Sequence, residues 1–186
     1  MASSKILLVE DSRSLRTILK LQLKSINAQI TEASNGKSGL RKAQAEEFDL
    51  ILSDVDMPEM DGLEMCRALK DDMKTRSIPV ILLSSMEKET DIDKGFEVGA
   101  SAYIGKSTAE KYLLPAIDDV LHRSIFNRDR TVLVVDDSRT IVKLVENSLA
   151  KEGFQVITAP NGKRALELLK NIKPDLIVSD LDMPVM

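Results

Sequence analysis

Apolar residues fall into short unbroken runs separated by longer stretches of helical spacing. Ile6-Leu7-Leu8-Val9 is apolar at every position and ends on two acids, Glu10-Asp11. A run that is apolar on both faces of the pleat predicts a strand buried on both sides, as in a parallel sheet. Leu50-Ile51-Leu52 repeats the signature and again ends at an acid, Asp54. Pro79-Val80-Ile81-Leu82-Leu83 predicts a fourth strand and Ala100-Ser101-Ala102-Tyr103-Ile104 a fifth, with a short second strand around Ile30. Leu15, Ile18, Leu19, Leu21 and Leu23 recur at roughly helical spacing behind Ser12 or Ser14, either of which suits an N-cap. Asn35-Gly36 marks a turn before a helix carrying Leu40 and Ala43, and a loop from Met57 to Gly62 leads into a helix over 63–70. The last helix spans 109–121 with Pro115 inside it, a residue tolerated mainly in a first turn. Strands alternating with helices predict a parallel sheet covered on both faces.

The pattern then starts again. A shift of 126 positions lays Leu7-Leu8-Val9-Glu10-Asp11-Ser12-Arg13 on Leu133-Val134-Val135-Asp136-Asp137-Ser138-Arg139, and Asn35-Gly36-Lys37 on Asn161-Gly162-Lys163. The same shift carries Ser53-Asp54-Val55-Asp56-Met57-Pro58 onto Ser179-Asp180-Leu181-Asp182-Met183-Pro184 without a gap, giving about 21 identities in 56 positions. Residues 1–121 are expected to form one complete copy, 122–130 a polar, mostly basic linker, and 131–186 the N-terminal half of a second copy. With only three strands, the second copy would present Leu176-Ile177-Val178 as an apolar edge, a pairing hazard. The chain is therefore read as a fragment of a longer protein.

Composition narrows the function. The formal charge of -4 and pI near 5.2 argue against direct binding of nucleic acid, which needs clustered Lys and Arg. Trp is absent and there are two Tyr and four Phe, too few for base-stacking platforms. Cys66 is the sole cysteine and His122 the sole histidine, which excludes an internal disulfide and zinc-type spacing. With no apolar run near the roughly 18 residues of a membrane span and no secretory signal, the expected location is the cytoplasm.

In an open α/β sheet the ligand crevice lies beyond the carboxyl ends of the strands. Glu10, Asp11 and Asp54 fall there, joined by Ser84 from the fourth strand and Lys106 after the fifth. Three carboxylates in one crevice repel one another, so the cluster makes most sense around a hard divalent cation, and few-carboxylate sites with room for water and phosphate suit Mg²⁺. Beside such a metal a carboxylate can attack phosphorus, while a hydroxyl and an ammonium receive the phosphoryl oxygens. Cys66 and the group Met57, Met60 and Met65 read as packing, and His122, Arg123, Arg128 and Arg130 as a solvated linker.

These residues together make the chain resemble the receiver domains of two-component response regulators, over the whole first copy and the partial second. The resemblance implies a flavodoxin-like, doubly wound, five-stranded sheet of order 2-1-3-4-5. It implies that Asp54 is the phosphoacceptor, within Ser-Asp-Val-Asp-Met-Pro-Glu-Met-Asp-Gly, and that Glu10, Asp11 and Asp54 hold Mg²⁺ with help from the backbone carbonyl of Asp56. Ser84 becomes the switch hydroxyl, Tyr103 the switch aromatic and Lys106 the phosphate-facing lysine. Asp136, Asp137, Asp180 and Asp182 repeat the metal-binding half in the second copy, with Asp180 as phosphoacceptor equivalent. The chain departs from the family at Lys106-Ser107, where proline in a cis bond is usual and serine prefers trans. It also places Met86 near the site's entrance.

The resulting expectation is a non-enzymatic input module, phosphorylated by a histidine kinase or phosphotransfer protein. Phosphorylation would repack the face around the fourth helix, fifth strand and fifth helix, switching homodimerisation or a C-terminal effector such as a diguanylate cyclase. One rival is a docking or dimerisation module that never takes up phosphate, above all in the second copy. The other is a metal-dependent phosphatase, for which no separate substrate pocket is evident.

Overall fold

Strand β1 (Lys5–Val9) enters a sheet with β2 (Gln29–Ala33), β3 (Leu50–Asp54), β4 (Val80–Ser84) and β5 (Ala102–Gly105), all parallel and in the order β2-β1-β3-β4-β5. This is the computed structural model of the chain; it describes residues 3–85 and 89–183, so Met86 and Pro184 lie outside the described residues. Helices α1 (Arg13–Lys24), α2 (Gly36–Ala45), α3 (Gly62–Asp71) and α4 (Glu89–Glu97) make the crossovers, and α5 (Ala109–Arg128) follows the last strand. The unbroken apolar runs are explained by two cores, one on each face. Leu7, Val9, Ile51 and Leu82 point to one side, where Ala43, Met65, Cys66 and Leu69 cover them. Ile6, Leu8, Leu50, Leu52, Ile81 and Leu83 point to the other, under Leu19, Leu23, Leu113, Ile117 and Val120.

Local chemistry sets the helix starts. Ser12, not Ser14, caps α1 by accepting from the Leu15 N–H. Asn35 and Asp61 open α2 and α3 with reciprocal capping boxes to Ser38 and Glu64. The apolar residues of α1 divide, with Leu19 and Leu23 buried while Ile18 and Leu21 face outward at 54% and 62% exposure. A spacing of four keeps residues on one face, and Ile18 and Leu21 fall off it.

The larger differences from the sequence expectation lie in the last third of this sheet's chain. Residues 89–97 form α4, a polar helix with few apolar positions to announce it. The fifth strand starts at Ala102 rather than Ala100, because Gly99, at φ +91°, is still turning the chain. Helix α5 continues past Leu121 to Arg128, since no glycine or proline follows to stop it, and it absorbs Pro115 in its interior.

The chain divides into two compact units, Met1–His122 and Arg123–Met186. The second holds β6 (Thr131–Val135), α6 (Arg139–Lys151), β7 (Gln155–Ala159), α7 (Gly162–Leu168) and β8 (Leu176–Ser179), with sheet order β7-β6-β8. The β6–β7 and β6–β8 registers repeat those of β1–β2 and β1–β3. Its core gathers Leu133, Val135, Ala159 and Ala165, whereas Leu176, Ile177 and Val178 of β8 are exposed, as expected of an apolar edge. Arg130 is more than a solvated linker residue: it pairs with Asp175 and lies over the Phe126 ring, 4.6 Å from its centroid.

Candidate functional site

The carboxyl ends of the central strands place the site. Glu10 and Asp11 follow β1, Asp54 ends β3, Ser84 ends β4, and Lys106 follows β5. Glu10, Asp54 and Ser84 are buried, while Asp11 is exposed. The β4–β5 ladder continues one step beyond the strand, the Lys106 N–H donating to the Ser84 carbonyl at 2.8 Å. That step delivers the ammonium to the acids: Lys106 Nζ lies 2.7 Å from Asp54 Oδ2 and 3.4 Å from Glu10 Oε2. The Lys106–Ser107 peptide is trans, there being no cis bond among the described residues, and the lysine still reaches the crevice.

The other carboxylate oxygens are held from the backbone. The Ser12 N–H donates to Glu10 Oε1 at 3.0 Å, and the Asp56 N–H to Asp54 Oδ1 at 3.2 Å. Asp56 thus supports Asp54, and its own carboxylate is not part of the acidic cluster. Gly62 lets α3 begin against the loop after β3: a Cβ there would sit 2.1 Å from the Asp54 carbonyl oxygen. Tyr103 packs partly buried against the core, its ring so close to α4 that a Cβ on Gly95 would meet it at 2.7 Å.

Charge and burial act against each other. Burial raises the Asp54 carboxyl above its ordinary value, opposed by the hydrogen bond and charge of Lys106. Burial likewise raises Glu10, with Ser12 and Lys106 pulling down and the Asp54 charge pushing up. For Lys106, burial works to lower the value, but Asp54 and Glu10 outweigh it and hold the ammonium above the usual lysine range.

One atom is left over. Glu10 Oε2 is buried without a hydrogen bond, since Lys106 at 3.4 Å supplies charge without bonding geometry. Leaving a buried acceptor unsatisfied costs on the order of 1–3 kcal/mol. Glu10, Asp11 and Asp54 each offer an oxygen, all within 4.8 Å of one another, and this all-oxygen set fits a hard dication that would satisfy Oε2. Asp136, Asp137 and Asp180 form the matching cluster in the second unit, without Asp182, whose N–H donates to Asp180 Oδ1 at 3.4 Å.

Sequence reasoning passed over Arg16, Lys20, Glu32 and Lys42, which join behind the acids. Arg16 Nε pairs with Glu32 Oε2 at 2.9 Å, Lys20 pairs with the other Glu32 oxygen, and Lys42 Nζ donates to the Glu32 carbonyl at 2.6 Å. The Lys20 hydrogen bond is foremost in holding the Glu32 carboxyl below the usual range. As scattered polar residues on two helices and a strand, they carry no sequence signal.

A doubly wound parallel sheet with acids, a hydroxyl and a lysine at its carboxyl edge defines a signalling receiver. The chain belongs to the response regulator receiver domain family, which matches residues 6–118 and again 132–186. It is 37% identical over 168 residues to a histidine kinase, P4, of Formosa agariphila, a match spanning 83% of this chain and 12% of that protein. The receiver domain of a signal transduction histidine kinase from Syntrophus aciditrophicus superposes with a TM-score of 0.60 at 37% identity, over 64% of this chain and 91% of that one. A sensor kinase receiver domain from Pseudomonas aeruginosa, with a magnesium ion coordinated in its active site cleft, gives a TM-score of 0.57 at 27% identity, over 67% and 98%. Among the described residues no helix is long and apolar enough to cross a membrane.

Proposed function

We propose that the first unit, Met1–His122, is a phosphoryl-accepting receiver in which Asp54 is modified by a histidine kinase or phosphotransfer partner in the cytoplasm. The observation that carries this reading is the contact of Lys106 Nζ with Asp54 Oδ2 at 2.7 Å, beside Glu10 and Asp11. An Asp54 carboxylate oxygen forms the new O–P bond as the donor's N–P bond breaks, and the donor imidazole keeps the electron pair. Mg²⁺ bound by Glu10, Asp11 and Asp54 would neutralise charge on the phosphoryl oxygens. The Lys106 ammonium, already at Asp54, turns to a phosphoryl oxygen, and the Ser84 hydroxyl donates to another. Those contacts exist only in the modified state, so they bias the β4–β5 edge, Tyr103 and α4 toward a second packing that alters dimerisation or the output of an attached effector.

The second unit supports a different reading, as a docking or dimerisation module. Its acids Asp136, Asp137 and Asp180 cluster as Glu10, Asp11 and Asp54 do, but Asp180 is exposed where Asp54 is buried. Incubation with Mg²⁺ and a small phosphodonor, read by intact mass, tests both. One phosphoryl group is expected on the wild type and on Asp180→Asn, and none on Asp54→Asn. A wild type that gains no mass overturns the phosphoacceptor reading.

A further inference from the structure

Arg16 reaches from α1 to the backbone of the acidic pair. Its side chain, 15% exposed, donates through Nη1 to the carbonyl of Glu10, and to that of Asp11 at 3.5 Å, while Glu32 holds its Nε. The Glu10 N–H donates to the Ala33 carbonyl at 3.1 Å, one residue beyond Glu32, so the Glu10 peptide groups are fixed on both sides. Lys20 and Lys42 fix Glu32 in turn. The rigid guanidinium sets Nε on the Glu32 carboxylate while Nη1 faces the two carbonyls, a fixed pair of separate donors that the single nitrogen of an ammonium does not offer.

The second unit is an internal contrast. At the four matching positions it has Val142, Glu146, Thr158 and Leu168, none of which reproduces the network. It nevertheless builds the same strand, loop and helix and brings its three acids within 4.8 Å. The network is therefore not required to fold this element. What it adds is restraint on two adjacent acids that repel each other.

We propose that Arg16 is a positioning residue that holds the Glu10–Asp11 segment ready for a divalent cation. This rests on the reading that Glu10, Asp11 and Asp54 bind Mg²⁺. Partners that orient metal ligands from behind typically affect affinity by 10–100-fold. The test follows the amide resonances of Asp11 and Ser12 through a Mg²⁺ titration of the full chain, with hydrogen exchange of the same amides in metal-free protein, for wild type, Arg16→Ala and Arg16→Lys. Arg16→Ala is expected to weaken Mg²⁺ binding about tenfold and to speed exchange at Asp11 and Ser12 while β3 and β4 stay protected. Arg16→Lys should fall between, and it decides the matter should Arg16→Ala fail to fold. Mg²⁺ affinity within twofold of wild type, or exchange rising equally across β3 and β4, overturns the proposal and leaves the phosphoacceptor reading standing. A wild type that shows no saturable Mg²⁺ response overturns that reading and this proposal with it.

Discussion

The contact between Asp54 and Lys106 holds the ammonium above its ordinary range and restrains the rise that burial imposes on the carboxyl. Burial raises Asp54 and Lys106 restrains the rise, so Lys106→Met is expected to push the Asp54 pKa further up, read by ¹³C NMR of the labelled carboxyl. The sign for stability follows. A carboxyl whose folded pKa exceeds its unfolded value binds its proton more tightly when folded, so that contribution is lost as pH rises through the folded value. Asp54→Asn, which keeps an acceptor for Lys106, should therefore melt at a higher temperature than wild type at pH 7. The advantage should shrink below the ordinary carboxylate range, where the wild-type acid is protonated in both states. Glu10 is raised for the same reason, so a divalent cation bound there would compete with protons, and its affinity is expected to weaken as pH falls toward that range. Calorimetric titrations across pH would read that slope.

At the scale of elements, strands were the most legible part. Leu7-Leu8-Val9 and Leu50-Ile51-Leu52 announce themselves because each face of a central parallel strand is covered. Their carboxyl ends then located Glu10, Asp11, Asp54, Ser84 and Lys106, and the structure brings Lys106 onto Asp54 and Glu10. No apolar period places helix α4, which is mostly polar and entered only through the resemblance, and the Arg16–Glu32 network escaped notice because it joins residues remote in sequence. The Asp61 and Glu64 box at the exposed start of α3 has the three-residue spacing of a cap, which the neighbouring acids Asp54, Asp56 and Glu59 obscure in the sequence. Asp61→Ala is expected to cost about 0.5–2 kcal/mol, measured by urea unfolding. Gly62→Ala should be more disruptive than a cap loss, because its methyl meets the backbone of β3 rather than a side chain that can turn aside. Comparing the two unfolding midpoints checks that order.

For the molecule as a whole, two units with separate cores imply separable stabilities. Leu133, fully buried in the second unit, packs with Val135, Ala159 and Ala165. Leu133→Ala is expected to destabilise that unit by about 2–5 kcal/mol, while the amide resonances of Asp11 and Ser12 keep their Mg²⁺ response. A loss of that response in the variant would show that the units do not stand alone. Cys66 has one further consequence. The chain's single thiol is fully buried in the first core and donates to the Val98 carbonyl at 3.6 Å, so maleimide chemistry has no native target in the folded protein. A cysteine introduced on each unit would then carry a donor and an acceptor dye without background labelling. The distance between the two units would thereby become measurable in single molecules.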